Sequence, residues 1–121
     1  MIAKIVFESG RQFILGSYAA SHGLLLFRSR KSNASPTRMD VLFQDVRAMD
    51  VRAWTEGLKV ELSDVESLKG QPSNPAEMIE TGLVVYKVSG RGWQGFVVAS
   101  ERVSSKEDDL GPMDPSGLLP G

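Results

Sequence analysis

The chain reads as all-β or mainly β: a small antiparallel barrel or sandwich of about seven to eight short strands, with one short helix near 75–80. Three observations predict it. Short runs rich in Val, Ile, Leu and Phe recur at about ten-residue spacing. Several alternate apolar with polar residues, the period of a half-buried strand. Clusters of Gly, Ser, Asn and Pro separate them.

The elements follow in order. Residues 2–8 (IAKIVFE) and 12–18 (QFILGSY) are apolar runs divided by Ser9-Gly10-Arg11, which predicts a hairpin. Residues 23–31 (GLLLFRSRK) form a buried strand that turns polar at its far end, and 32–37 (SNASPT) has loop composition. Residues 38–43 (RMDVLF) place Met39, Val41 and Phe43 on one face, with Arg38 and Asp40 on the other. Glu56-Gly57 predicts a turn into 58–64, where Leu58, Val60 and Leu62 alternate with Lys59 and Glu61. Strands over 82–89 and 93–100 flank Gly90-Arg91-Gly92, where Gly90 and Gly92 are expected to supply positive φ and Gly95 to leave room for a ring. The helix signal is Asn74 as N-cap, Pro75 in the first turn and Gly82 beyond the end. The β domain is expected to span 1–105. Residues 106–121 form an acidic tail with three Pro and three Gly, expected to be mostly disordered.

One stretch repeats itself: Asp45-Val46-Arg47-Ala48, then Asp50-Val51-Arg52-Ala53. A spacing of five puts Arg47 and Arg52 on opposite faces of a strand, so the repeat makes an arginine stripe only if the chain bends. Each Arg also lies within reach of an Asp two residues earlier. We read the repeat as structural rather than as a binding device.

Composition excludes several functions. The chain has 121 residues, 41% hydrophobic and 24% charged, as in an ordinary globular domain. Cys is absent, which removes thiol catalysis, disulfides and Cys-based metal sites, and fits a cytoplasmic location. No apolar run is long enough to cross a membrane as a helix, and the first ten residues lack the core of a signal peptide. The net charge of −1 is unevenly spread: residues 28–52 carry six basic against three acidic side chains, and residues 53–121 six against eleven. That asymmetry suits an anionic partner near the middle of the chain but falls short of a nucleic-acid-binding domain.

The motifs that suggest chemistry have plainer explanations. Gly90-Arg91-Gly92-Trp93-Gln94-Gly95 matches G-x-G-x-x-G, but it continues into Phe96-Val97-Val98 rather than a helix, so a hairpin explains it better than a dinucleotide site. His22 is the only histidine and sits in a turn-like Ser21-His22-Gly23, with no nucleophile elbow to accompany it. Asp64 with Glu66, and Glu107 with Asp109, lack the spacing of a calcium loop. Asn33-Ala34-Ser35 matches a glycosylation sequon with no secretion signal to give it use. No catalytic residue, cofactor or metal site is expected.

The functional expectation is therefore a non-catalytic protein-interaction module that binds another protein or itself. Strands such as 23–27 and 95–99, apolar on both faces, are expected to leave a patch or edge uncovered. A small barrel binding single-stranded nucleic acid is the alternative, and an apolar ligand inside a barrel a third. The candidate interaction surface comprises Arg28, Arg30 and Arg38 around the 32–37 loop, with Trp54 and Trp93 as exposed aromatics.

Overall fold

A computed structural model describes residues 4–19, 23–63 and 82–119. Its first strand, β1 (Lys4–Ala19), runs unbroken through Ser9-Gly10-Arg11, so the expected hairpin is not formed. The partner across this stretch is β5 (Trp54–Ser63), which likewise runs through Glu56-Gly57 without turning back. Ser9 pairs with Leu58 and Gln12 with Glu56, so β1 spends three steps where β5 spends two. The two turn-like stretches face each other across a β-bulge, and Gly57 takes the positive φ of 79° there. The residues that promised chain reversal bend a strand pair instead. Further register shifts at Ile5/Phe7 against β5 and at Leu15/Ser17 against β2 (Leu24–Ser29) curl this long strand.

β2 returns as β3 (Arg38–Phe43), over the residues that alternation predicts. The remaining strands are β4 (Ala48–Asp50), β6 (Leu83–Gly90), β7 (Trp93–Ser100) and β8 (Ser104–Asp108). All eight form one antiparallel sheet in the order β4-β7-β6-β5-β1-β2-β3-β8, which is not closed into a barrel. The described residues contain no helix, and the helix expected near 75–80 lies outside them.

The sheet curls around one apolar cluster drawn from six strands. Phe13, Leu25, Phe27, Val41, Phe43, Leu58, Val60, Tyr86, Val88, Val97 and Ala99 are all buried in it. Phe43 and Tyr86 meet edge-to-face at 5.7 Å although three strands separate β3 from β6 in the sheet. The Tyr86 hydroxyl donates to the Ser100 carbonyl at 3.0 Å, and burial pushes its pKa up to about 12. Side chains thus fill the interior where an apolar ligand was a third expectation.

The repeat forms the corner that curls the sheet. After β3 the chain bends at Asp45, with φ 56°, and turns along β7, where the Gln44 carbonyl accepts from Ser100 N–H and Arg47 N–H donates to the Val98 carbonyl. Asp45 forms an ion pair with Arg102. A Cβ built on Gly95 would lie 1.8 Å from the Asp50 carbonyl oxygen, so Gly95 makes room chiefly for the β4 backbone rather than for a ring. Gly92 has the expected positive φ and Gly90 does not. Gly90 instead admits Thr55 Oγ1, which a Cβ would meet at 2.0 Å.

Two further expectations are corrected. Strands β2 and β7 are buried on both faces, with Leu26, Phe96 and Val98 covered as fully as their neighbours, so neither leaves an apolar patch. The domain boundary at 105 falls inside β8, whose Lys106 pairs with Asp40 of β3. Beyond it, residues up to 119 fold back as a strap held by side chains of β2 and β3, in place of the disordered tail expected from 106.

Candidate functional site

Strand register builds the site as a transverse row. Ile14 pairs with Trp54 of β5 on one side and Arg28 of β2 on the other, and Arg28 pairs with Asp40 of β3. Directly paired residues of an antiparallel sheet point to the same face, so Trp54, Ile14, Arg28 and Asp40 line up on the face opposite the Phe13 and Phe27 core.

The Arg28 end of the row is sealed. Arg28 forks onto Asp40, Nε to Oδ1 at 2.7 Å and Nη2 to Oδ2 at 3.0 Å. That hydrogen-bonded pairing raises the Arg28 pKa above its ordinary value, against the opposing effect of burial. Its Nη1 donates to the carbonyls of Pro112 and Asp114, both at 3.0 Å. Arg38 is buried completely. Its Nη1 donates to the carbonyls of Gly111 at 2.9 Å and Asp114 at 2.7 Å, and its Nη2 to Asp108 Oδ2 at 3.0 Å. The hydrogen bond from Arg38 holds the Asp108 carboxyl below the usual carboxylate range. Arg38 Nε is buried with no acceptor. Two of the five expected surface residues, Arg28 and Arg38, are therefore interior clamps. The sequence shows their charge but not the strap that covers them.

The other end of the row is open. Beside Arg28 lies a groove of about 760 Å³ between the β1 bulge and the β2–β3 connection, with Arg11, Arg28, Arg30, Lys31 and Trp54 in its lining and no Asp or Glu. The connection is a small closed loop: Ser32 and Ser35 exchange backbone hydrogen bonds at 2.8 and 3.1 Å. Arg11 reaches across the groove mouth to the Thr37 carbonyl and hydroxyl, at 3.1 and 2.7 Å, and to Glu107 at 3.0 Å. The Lys31 ammonium donates to the Asp109 carbonyl, a partner that leaves its charge uncompensated. Arg30 is exposed and has no ion pair or hydrogen bond among the described residues.

The tryptophans divide. Trp54 is 51% exposed and stands as a ridge between the groove and a shallower hollow shared with Glu56 and Arg91. Trp93 packs against the core and donates from Nε1 to Thr55 Oγ1 at 2.7 Å, so it supports the ridge rather than offering a stacking face. Sequence reasoning missed Arg11, whose place depends on the bulge. It also missed the Arg28–Asp40 fork: counting back from both sides of the 32–37 loop sets Ser29 opposite Asp40, and the observed register lies one residue away, with Arg28 opposite Asp40.

Among the described residues no group of three or more His, Cys, Asp or Glu side chains is placed to hold a metal ion; His22 and the Asp64–Glu66 pair lie outside them. No described helix is long and apolar enough to cross a membrane. Comparisons with protein-family models, curated proteins and solved structures found no match for this chain.

Proposed function

We propose that the protein is a non-catalytic binding module of the cytoplasm that receives an extended acidic segment of a partner protein in the groove beside Trp54. One observation carries this: the groove has four cationic side chains in its lining and no acidic one, in a chain whose net charge is −1. Arg11 and Arg28 are already paired, with Glu107 and Asp40, which leaves Arg30 and Lys31 to meet a ligand. Trp54 offers the flat apolar surface on which a neighbouring side chain of the segment rests. Self-association through sheet edges has less support, because the edge strands are short, β4 with three residues and β8 with five.

Single-stranded nucleic acid ranks second, since an exposed tryptophan and an exposed arginine lining one groove also suit a base and its phosphate. One exposed tryptophan, one cation without a partner among the described residues and one bound only to a carbonyl are few for that purpose. The deciding experiment is fluorescence anisotropy of labelled hexaglutamate and of labelled decathymidylate against the full chain at 150 mM salt. Hexaglutamate is expected to bind, to lose about tenfold in affinity with the double reversal R30E/K31E, and to lose about fivefold with Trp54→Ala. Equal binding by wild type and R30E/K31E would refute the assignment. Preference for the oligonucleotide would promote the second reading.

A further inference from the structure

We propose that the C-terminal strap, Asp109–Leu119, is a displaceable cover over the Arg28–Arg38 pair, and that the acidic segment taken up by the groove competes with the strap for that pair. The inference rests on the groove assignment above.

The strap is held in an unusual way. Arg28 and Arg38 donate five hydrogen bonds to its main-chain carbonyls, those of Gly111, Pro112, Asp114 and Pro115. The Lys31 ammonium adds a sixth, at Asp109. Three of its four large apolar side chains are exposed, Met113 at 91%, Leu110 at 41% and Leu119 at 36%, and Leu118 is half-buried. Within itself the strap is a closed turn, Gly111 N–H donating to Asp114 Oδ2 at 2.7 Å and Asp114 N–H to the Gly111 carbonyl at 3.2 Å. A segment that is folded locally and gripped through polar contacts can leave as a unit, exposing little apolar surface.

What it covers is built for a stronger acceptor. Nη1 of Arg28 and Nη1 of Arg38 converge on one oxygen, the Asp114 carbonyl, at 3.0 and 2.7 Å. Neutral carbonyls are weaker partners for guanidinium than carboxylates, which accept two parallel bonds. The buried Arg38 Nε, left without an acceptor, marks a donor set that the strap does not exhaust. Asp40 and Asp108 belong to the strands and stay with the pair, holding both guanidinium groups in place while the strap lifts. The two sites are continuous, because Arg28 and Pro112 of the strap both line the groove. A segment entering at Arg30 and Lys31 therefore meets the strap end-on.

The test is hydrogen exchange on the full chain with and without saturating fluorescein-labelled hexaglutamate. Exchange at Leu110–Leu119 amides is expected to speed up at least tenfold on binding, while β2 and β3 amides stay protected. Asp114→Ala, which removes the side-chain acceptor of the Gly111 N–H and keeps the main-chain carbonyl that both arginines grip, is expected to bind hexaglutamate about three- to tenfold tighter. Unchanged or slower strap exchange in the bound state would overturn the inference and leave the groove assignment standing. Absence of hexaglutamate binding in wild type and Asp114→Ala alike would remove both. Strap opening by decathymidylate but not by hexaglutamate would also overturn it as stated, in favour of a nucleic-acid occupant.

Discussion

Asp40 is the residue on which the buried charges depend. It lies 2.7 Å from Arg28 and 3.8 Å from Arg38, and both cations are shielded from water. Removing one member of such a cluster leaves its partners desolvated and uncompensated, which typically costs about 3–5 kcal/mol. Asp40→Asn is therefore expected to lower the unfolding free energy by about that much in urea titration. The double change Arg28→Met with Asp40→Leu, which removes charges of both signs, should cost distinctly less. Asp108 supplies a pH signature. Its carboxyl titrates below the ordinary 3.8 in the folded chain because Arg38 holds the charged form. Its contribution is thus fully present above about pH 4 and is lost as pH falls through the depressed folded value. Wild type and Asp108→Asn should differ in stability at pH 6 and converge as urea midpoints are followed down from pH 4. A constant difference across that range would show that the carboxylate's charge is not what Arg38 uses.

At the level of elements, what was legible depended on which atoms do the work. The strand over Arg38–Phe43 was legible to the residue because alternating side chains specify it. The bulge at Gly10-Arg11 was not, because a Gly flanked by Ser and Arg has the same composition whether it reverses a chain or kinks a strand. Only the opposite strand decides, and Gly57 sits on it. The strap was hidden for a related reason: its carbonyls, common to every residue, are what Arg28 and Arg38 grip. Charge at the β2–β3 tip was therefore visible, while its division into two buried clamps and two exposed cations was not. Backbone proximity also sets the prediction for β4. Gly95→Ala drives a methyl into the Asp50 carbonyl and should separate β4 from β7, costing at least about 2 kcal/mol. Gly10→Ala, with nothing within 4 Å of the added carbon and no positive φ, should change stability by less than about 0.5 kcal/mol. Thermal melts of the pair check both, with amide exchange at Ala48–Asp50 accelerated only in Gly95→Ala.

For the whole molecule, the open sheet raises the question of whether its two ends fold together. In the sheet order only β1 joins β2, β3 and β8 to β5, β6 and β7, and outside the sheet ladder the hydrogen bonds from Ser100 of β7 to the Gln44 carbonyl just past β3 add little to that link. The side chains answer otherwise. Phe43 of β3 stacks edge-to-face on Phe27 at 6.3 Å and on Tyr86 of β6 at 5.7 Å, tying the two ends through one shared cluster. A single cluster predicts a single transition. Trp54 and Trp93 report the β5 and β7 end, whereas far-UV circular dichroism reports all eight strands. In wild type the two signals should share one urea midpoint. Phe43→Ala removes the ring that bridges the ends and should cost about 3–5 kcal/mol. The decisive comparison lies in how that loss is distributed. If the core is common, both midpoints fall together. If the circular dichroism midpoint falls while tryptophan fluorescence holds, the ends are separate folding units, and the groove, with Arg30 on one and Trp54 on the other, would not be a rigid site.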